Sequence, residues 1–158
     1  MEILNKKAVE LLIENNLTIV TAESCTGGWL SKIITEISGA SEIFMGGVCS
    51  YSNDIKMNVL GVKEDTLKAF GAVSEETARE MSQGILKLMK TSVGVGITGI
   101  AGPNSDGTDK PVGLGYIAVG MKDGVHTYRY NFSGSREEIM ETAKNTALFL
   151  AIKKLKSI

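Results

Sequence analysis

The sequence predicts an α/β protein: a single three-layer α/β/α domain over residues 1–158 with a mixed, mostly parallel sheet. Its 158 residues are 43% hydrophobic and 22% charged, which is typical of one globular domain with a core of its own. Segments with helical spacing of apolar residues alternate along the chain with short β-branched runs. Two neighbouring strand-like runs are joined by the sequence KDG, which favours an antiparallel hairpin and therefore a mixed sheet.

Each predicted element has a local signal. The run LTIV predicts a buried strand, and Ile33, Ile34 and Ile37 after it recur at helical spacing. Ser135 and Glu138 have the spacing of a capping box and open the last helix. No linker, repeat or low-complexity segment divides the chain. In chain order we expect a helix over 3–15, a strand over 17–22, a helix over 26–38, a strand over 43–50, short helices within 53–70, a helix after GAVSEETA, strands near 92–98, 112–121 and 125–132, and a helix from 135 to the C-terminus.

Composition excludes several function classes. Seventeen basic and eighteen acidic residues give a net charge near zero, without the excess of positive charge that binding to nucleic acid or to an anionic membrane requires. The N-terminal segment lacks the layout of a signal peptide, and no apolar run is long enough to span a bilayer. Cys25 and Cys49 are the two cysteines, and they suggest neither a disulfide framework nor a zinc ligand set. We therefore expect a cytoplasmic protein with no nucleic-acid or membrane partner and no metal.

The stretch VTAESCTGGWL, residues 20–30, joins a predicted strand to a predicted helix. Residues 24–28 then lie near the N-terminus of that helix, where backbone N–H groups lack intrahelical partners and the dipole favours negative charge. Such a turn can hold a phosphate or stabilise a developing oxyanion. The alternative is that Ser24 or Thr26 only caps the helix. The stretch by itself leaves both interpretations open.

A hydroxyl in this turn needs a proton acceptor before it can act as a nucleophile. The chain's single histidine, His126, lies in an alternating strand pattern, and no third orienting group for a Ser-His pair is evident, so we expect it to be structural. Glu23 is near in sequence, but a neighbouring residue rarely reaches the adjacent side chain well.

A lysine can replace histidine as the base if its pKa is lowered by burial or by its neighbours. The sequence CSYSNDIKMNVLG places Ser50, Tyr51 and Lys56 at a second strand exit. If Asn53 caps the next helix, Lys56 falls in its first turn and can reach back toward the strand end. The alternative is that Lys56 is a solvated surface charge.

A third polar cluster is GVGITGIAGPNSDGTDKPVG. Its glycines match the dinucleotide-binding pattern, but they lie within a predicted strand and no helix follows promptly, so we reject that interpretation. Thr98 and Gly99 instead offer contacts to a polar or anionic ligand, and the long loop after Pro103 is typical of a functional or mobile segment. Because open α/β sheets bind ligands at strand ends, we expect the three clusters to converge on one edge.

Five motifs occur in a characteristic order: TAESCTGG, GGVCSYSNDIK, GAVSEETA, TGIAGP and KPVG. Together they resemble the CinA C-terminal domain family, and the resemblance covers essentially the whole chain. Enzymatically characterised members are nicotinamide mononucleotide deamidases, which convert nicotinamide mononucleotide and water into nicotinate mononucleotide and ammonia without a redox cofactor or a metal. The resemblance does not extend to the amino-terminal molybdopterin-binding-like domain that two-domain members carry. It thus implies a stand-alone deamidase. It also implies a small-molecule nucleotide partner and a homodimer, for which Met45, Met57, Met81 and Met89 could supply adaptable contacts.

The resemblance further implies a Ser-Tyr-Lys catalytic set, which by motif is Ser24, Tyr51 and Lys56. Two departures bear on the substrate contacts: NSDG stands where the family commonly has a glycine pair, and Met140 replaces a second arginine, so that Arg136 alone remains to match. Two alternatives stay open: a catalytically silent nucleotide-binding or regulatory module, and Cys25 as the nucleophile. The residues expected to bind substrate are Glu23, Cys25, Thr26, Gly27, Gly28, Thr98, Gly99, Gly102 and Arg136.

Overall fold

The computed structural model describes residues 2–158. Five strands in this range form one sheet in the order β2-β1-β3-β4-β5. The strands are β1 (Ile19–Glu23), β2 (Phe44–Cys49), β3 (Val93–Gly99), β4 (Leu114–Met121) and β5 (Gly124–Asn131). The helices are α1 (Glu2–Glu14), α2 (Trp29–Thr35), α3 (Asn53–Asn58), α4 (Glu64–Phe70), α5 (Glu75–Met89) and α6 (Arg136–Leu155), with a short 3-10 helix at Ala40–Glu42.

The sheet is mixed, as predicted. Strand β1 pairs in parallel with β2 and β3, whereas β4 pairs antiparallel with both β3 and β5. Four strands therefore run in one direction and β4 runs against them. The sheet is mostly parallel in the sense that four of its five strands share one direction. Only two of its four strand pairings are parallel, however, because β4 pairs antiparallel with both of its neighbours, β3 and β5.

Helices cover both faces of the sheet, and β1 contributes to the core on each side. Ile19 packs into the larger core with α1, α2 and α6, while Val20 and Ala22 pack on the other face against Met81 and Ile85 of α5. This alternation follows from the two-residue period of a strand. It turns the side chains of Thr21 and Glu23 toward the face on which α2 packs, which positions Glu23 for the contacts described below.

The glycines of β3 make room for helix α5. A Cβ atom on Gly96 would lie 2.6 Å from the carbonyl oxygen of Ala78, and one on Gly94 would lie 2.9 Å from that of Ser82. No real side chain fits at such distances. These glycines therefore serve helix-on-sheet packing, in agreement with the rejection of a dinucleotide-binding motif.

Two helix starts differ from the prediction. Helix α2 begins at Trp29 after Gly28, whose φ of 98° is in the left-handed region. Gly28 occupies the N-cap position without a side-chain cap bond, so neither Ser24 nor Thr26 is the N-cap residue. Helix α3 is capped by Ser52 rather than Asn53, since the Ser52 hydroxyl accepts the N–H of Ile55.

The capping box of α6 at Ser135 and Glu138 is present as predicted. His126 lies on β5 with its Nε2 atom 3.1 Å from the Lys154 amine on an exposed surface, consistent with a structural role. Among the described residues, no helix combines the length and the apolar character that crossing a membrane requires.

Candidate active site

The three polar clusters of the sequence meet at one cavity of about 280 Å³ beside the carboxyl ends of β1, β2 and β3. The first cluster contributes Ser24 and Cys25, the second contributes Tyr51 and Lys56, and the N-terminus of α6 adds Arg136. The remaining lining residues come from the start of α3, the segment after α4, the end of β3 and the loop that follows β3: Asn53, Ala72, Val73, Thr98, Gly99, Ile100, Ala101, Gly102, Asn104, Ser105 and Asp106.

Ser24 and Lys56 form the central contact of the cavity. The Nζ atom of Lys56 lies 3.1 Å from Oγ of Ser24 and donates a second hydrogen bond of 2.7 Å to the carbonyl oxygen of Ser50. The Ser50 backbone is itself fixed, because its N–H donates to the carbonyl of Glu23 at the end of β1. The segments that follow β1 and β2 thus hold the Lys56 amine next to the Ser24 hydroxyl.

Lys56 is buried, with 1% of its surface exposed, so the alternative of a solvated surface charge is wrong. Burial disfavours the charged form and lowers the pKa of this lysine to about 8. Within residues 2–158, no carboxylate forms an ion pair with it. About a tenth of Lys56 is therefore neutral at pH 7 and able to accept a proton, far more than for a lysine with its ordinary pKa.

The turn over residues 24–28 presents backbone donors next to this pair. The N–H of Ser24 bonds to Ile97 and the N–H of Gly27 bonds to Ser24 itself. In the described part of the chain, neither the Cys25 N–H nor the Thr26 N–H donates to the backbone of another residue. The N–H of Cys25 belongs to the residue directly after Ser24, the position from which an acyl-transfer site commonly takes one oxyanion donor.

Glu23 does not line the cavity, contrary to the expectation of a substrate contact. Its carboxylate is buried and accepts hydrogen bonds from Thr26, Leu30 and Ser31 on the α2 side. The strand alternation described above explains this, because residue 23 of β1 points toward α2.

Three further residues expected to bind substrate also lie outside the cavity lining, namely Thr26, Gly27 and Gly28. The hydroxyl of Thr26 is committed to Glu23 at 2.7 Å. Gly28 lies against Cys49, since a Cβ atom there would be 3.2 Å from the cysteine sulfur. These residues shape the turn, and their side chains or Cα atoms do not face the cavity.

Cys25 lines the cavity, but its thiol is unsuited to nucleophilic attack. Burial, reinforced by the negative charge of Glu23, raises the pKa of Cys25 to about 12. The thiolate is the reactive form of cysteine, and it is almost absent at neutral pH with such a pKa. Ser24 beside a partly neutral lysine is the better nucleophile of the two neighbours.

Tyr51 and Arg136 meet at the cavity rim. Tyr51 is 63% exposed, and its hydroxyl accepts a hydrogen bond of 3.1 Å from Nη2 of Arg136. The other guanidinium nitrogen, Nη1, donates to the carbonyl oxygen of Gly102 at 2.6 Å. Arg136 thereby links the loop after β2 to the loop after β3. Met140, which stands in place of a second arginine, does not line the cavity.

The loop after β3 completes the cavity wall. Thr98 turns its hydroxyl away to the carbonyl oxygen of Ala72, at 2.8 Å, and thereby ties β3 to the segment before α5. The amine of Lys110 donates to the carbonyls of Phe70 and Val73, which attaches the far end of the same loop.

Sequence reasoning did not name Ala72 and Val73 as parts of the site. It pointed to the loop of Asn104, Ser105 and Asp106 through its length and the NSDG departure, without naming these three as contacts. Among residues 2–158, no three His, Cys, Asp or Glu side chains are grouped so that they could hold a metal ion.

The fold and the site together define a three-layer α/β protein with a buried Ser-Lys pair at the carboxyl edge of its sheet. A family model described as the CinA C-terminal domain matches residues 1–155. The chain therefore belongs to the CinA C-terminal domain family.

Individual proteins agree with this assignment. A CinA-like protein of Endomicrobium trichonymphae is 49% identical over 148 residues, which are 94% of this chain and 35% of that protein. A CinA-like protein of Thermotoga neapolitana is 46% identical over 147 residues, covering 93% of this chain and 36% of that protein. This chain thus spans about a third of the length of these curated relatives.

Solved structures share the whole fold. A CinA superfamily protein from Klebsiella pneumoniae superposes with a TM-score of 0.96 at 32% identity, over 99% of this chain and 98% of that one. The five-stranded mixed sheet flanked by helices is accordingly the fold of the superfamily.

Proposed function

We propose that the protein is an amidohydrolase that converts nicotinamide mononucleotide and water into nicotinate mononucleotide and ammonia. One observation carries the proposal: a serine hydroxyl lies 3.1 Å from a buried lysine whose pKa is lowered to about 8. A serine next to a neutral amine is an activated nucleophile, and a carboxamide is a substrate that such a nucleophile attacks. The choice of nicotinamide mononucleotide among carboxamides comes from the family resemblance.

In the first half of the reaction, Oγ of Ser24 attacks the carboxamide carbon and its proton passes to Nζ of Lys56. The developing oxyanion is stabilised by the N–H group of Cys25, which lines the cavity directly after Ser24. The C–N bond then breaks, and Lys56 returns the proton to the departing nitrogen, which leaves as ammonia. The product of this half is an ester between Ser24 and the nicotinyl group.

In the second half, water attacks the ester carbon while Lys56 accepts a proton from the water. The bond to Ser24 breaks, and the serine oxygen takes the proton back from Lys56. Nicotinate mononucleotide is released as the carboxylic acid, which loses its proton to solvent at neutral pH. Every proton transfer is made by a single amine already within hydrogen-bond distance of the nucleophile, so no further base is needed.

The proposal is tested by ammonia release from the purified chain on addition of nicotinamide mononucleotide. Ser24→Ala and Lys56→Ala should abolish release, whereas Lys68→Ala, which removes an exposed lysine, should leave it unchanged. Binding of the nucleotide by the wild-type chain without ammonia release would favour the alternative of a silent binding module.

We also propose that the protein works as a cytoplasmic homodimer. Of the methionines considered for an interface, Met45 on the edge strand β2 is 47% exposed, while Met81 is fully buried in the core and cannot contribute. A single species of monomer mass in light scattering at micromolar concentration would contradict the dimer.

A further inference from the structure

One buried ionisable group has no part in the proton transfers proposed above. Glu23 is 1% exposed, and its carboxylate accepts four hydrogen bonds. Oε1 accepts from the Thr26 hydroxyl at 2.7 Å and from the Leu30 N–H at 2.8 Å. Oε2 accepts from the hydroxyl of Ser31 at 2.7 Å and from its N–H at 3.1 Å. Two of these partners are backbone N–H groups, which can only donate, so each carboxylate oxygen faces one obligatory donor and one hydroxyl.

This carboxylate takes the place of a helix cap. Helix α2 begins after Gly28, which has no side chain to cap it, and the first N–H groups of a helix lack intrahelical partners. Glu23 reaches two of them, at Leu30 and Ser31, from the preceding strand. A negative charge at this end of a helix is also favoured by the helix dipole.

The same carboxylate also binds the turn that follows the nucleophile. The bond from Thr26 to Oε1 ties the middle of the 24–28 turn to the residue that immediately precedes Ser24. Neither Ser24 nor Thr26 is then required as a cap, and among residues 2–158 the Cys25 N–H at the cavity donates to no backbone group of another residue.

We infer that Glu23 is a positioning residue, whose buried carboxylate fixes the 24–28 turn and thereby holds the Cys25 N–H in place beside Ser24 at the cavity. The inference rests on the proposed amidohydrolase function for the chemistry it serves. Oxyanion stabilisation depends on donors held in place before the reaction, and a displacement of about 1 Å can cost roughly a hundredfold in rate.

Isosteric replacement tests this role. In Glu23→Gln, an amide NH2 group must face one pair of the four donors, so at least one N–H or hydroxyl loses its acceptor and the turn shifts. We expect kcat to fall by about a hundredfold while KM changes by less than about threefold. Because a buried substitution can also impair folding, a second variant is needed that leaves the carboxylate intact.

The two hydroxyls on the carboxylate supply a matched pair. Thr26→Val removes the 2.7 Å bond inside the turn, and Ser31→Ala removes the 2.7 Å bond outside it. Ser31→Ala also loses a 2.7 Å contact with Thr21, so its total loss of hydrogen bonding is the larger. We nevertheless expect Thr26→Val to lower kcat by about tenfold and Ser31→Ala to change it by less than about threefold, on the scale of a small turn displacement.

A second measurement, by NMR spectroscopy, reports the backbone conformation of the 24–28 turn and does not depend on enzyme activity. The amide resonance of Cys25 should shift in Glu23→Gln and stay in place in Ser31→Ala, while Thr26→Val is judged by kcat alone because a substitution perturbs the resonances of its own and adjacent residues. Equal kcat in all three variants, with an unmoved Cys25 resonance in Glu23→Gln, would show that Glu23 only stabilises the fold. If the wild-type chain releases no ammonia, the proposed function fails, whereas the Cys25 resonance still decides whether Glu23 sets the turn.

Discussion

The amine of Lys56 lies 3.1 Å from the hydroxyl of Ser24, although 32 residues separate them in the chain. Strands β1 and β2 are neighbours in the sheet, and the two residues follow the carboxyl ends of these strands. The contact is buried, so the lysine has lost most of its hydration and its pKa falls to about 8. This relationship yields most of the predictions below.

Loss of the Lys56 amine should stop the chemical step. Lys56→Ala should lower the single-turnover rate of deamidation by about a hundred- to ten-thousandfold, the usual effect of losing a general base. Lys56→Arg should restore little, because arginine does not deprotonate in a protein. Affinity for the nucleotide should change much less. A single-turnover rate near that of the wild type in either variant would contradict the Ser-Lys mechanism.

The rate should follow the titration of Lys56. Since the base must be neutral and its pKa is about 8, kcat/KM should rise tenfold per pH unit below pH 8 and level off above it. The measurement is kcat/KM from pH 6 to pH 10. A profile that is flat across pH 8, with substrate ionisation accounted for, would exclude Lys56 as the titrating base.

Burial of Lys56 should cost stability. Its pKa falls from 10.5 to about 8 on folding, so the unfolded chain binds more protons between these values and stability rises with pH in this window. Below pH 8 the penalty is fully present, at about 3 kcal/mol for a shift of this size. Lys56→Met should therefore raise the free energy of unfolding at pH 7 and raise it less toward pH 10.5.

Urea unfolding of the wild type and Lys56→Met at pH 7 and at pH 10 measures the difference directly. Lys68→Met, at an exposed position, is the control for the loss of one positive charge. If Lys56→Met is destabilising at both pH values, the amine contributes more through its hydrogen bonds than it costs through burial.

The hydroxyl of Tyr51 contacts Arg136 and makes no hydrogen bond to Ser24 or Lys56. Tyr51→Phe should therefore raise KM several-fold and keep kcat within about tenfold, because it removes a neutral-to-charged hydrogen bond at the rim. Arg136→Lys should raise KM further, since an ammonium does not reproduce the planar fork that joins Tyr51 to Gly102. A fall of a hundredfold or more in kcat for Tyr51→Phe would instead support the proton-transfer role implied by the family resemblance.

Cys25 should be dispensable for the chemistry. Its thiol has a pKa of about 12, so Cys25→Ala should keep kcat within about fivefold of the wild type, and the remaining loss would come from packing near Gly99. Ser24→Ala, one position earlier, should be inactive. The reverse order of effects in ammonia-release assays would make the thiol the nucleophile.

Much of the fold could be predicted because its signals are local. The capping box at Ser135 and Glu138 marked the start of α6, and the short turn after Met121 marked the hairpin that makes the sheet mixed. The helix starts near Gly28 and Ser52 were less well predicted, because several adjacent residues can cap a helix and tertiary contacts choose among them.

The roles of individual site residues depended on orientation, which no local pattern contains. Ser24 and Lys56 lay in motifs that the sequence could identify, but only the pairing of β1 with β2 brings them within hydrogen-bond distance. Glu23 was expected to contact substrate, and the alternation of β1 turned it toward α2 instead.

The class of fold, the order of its elements and the three polar clusters are predictable from the amino-acid sequence, because helix and strand periods, turn residues and caps each involve a few neighbouring positions. Which polar groups are buried, which donors stay free and which side chains meet depends on the packing of distant segments. Those properties decide the chemistry. Lys56 can act as a base, and the Glu23 carboxylate can fix a turn, only because distant segments exclude water and supply hydrogen-bond partners.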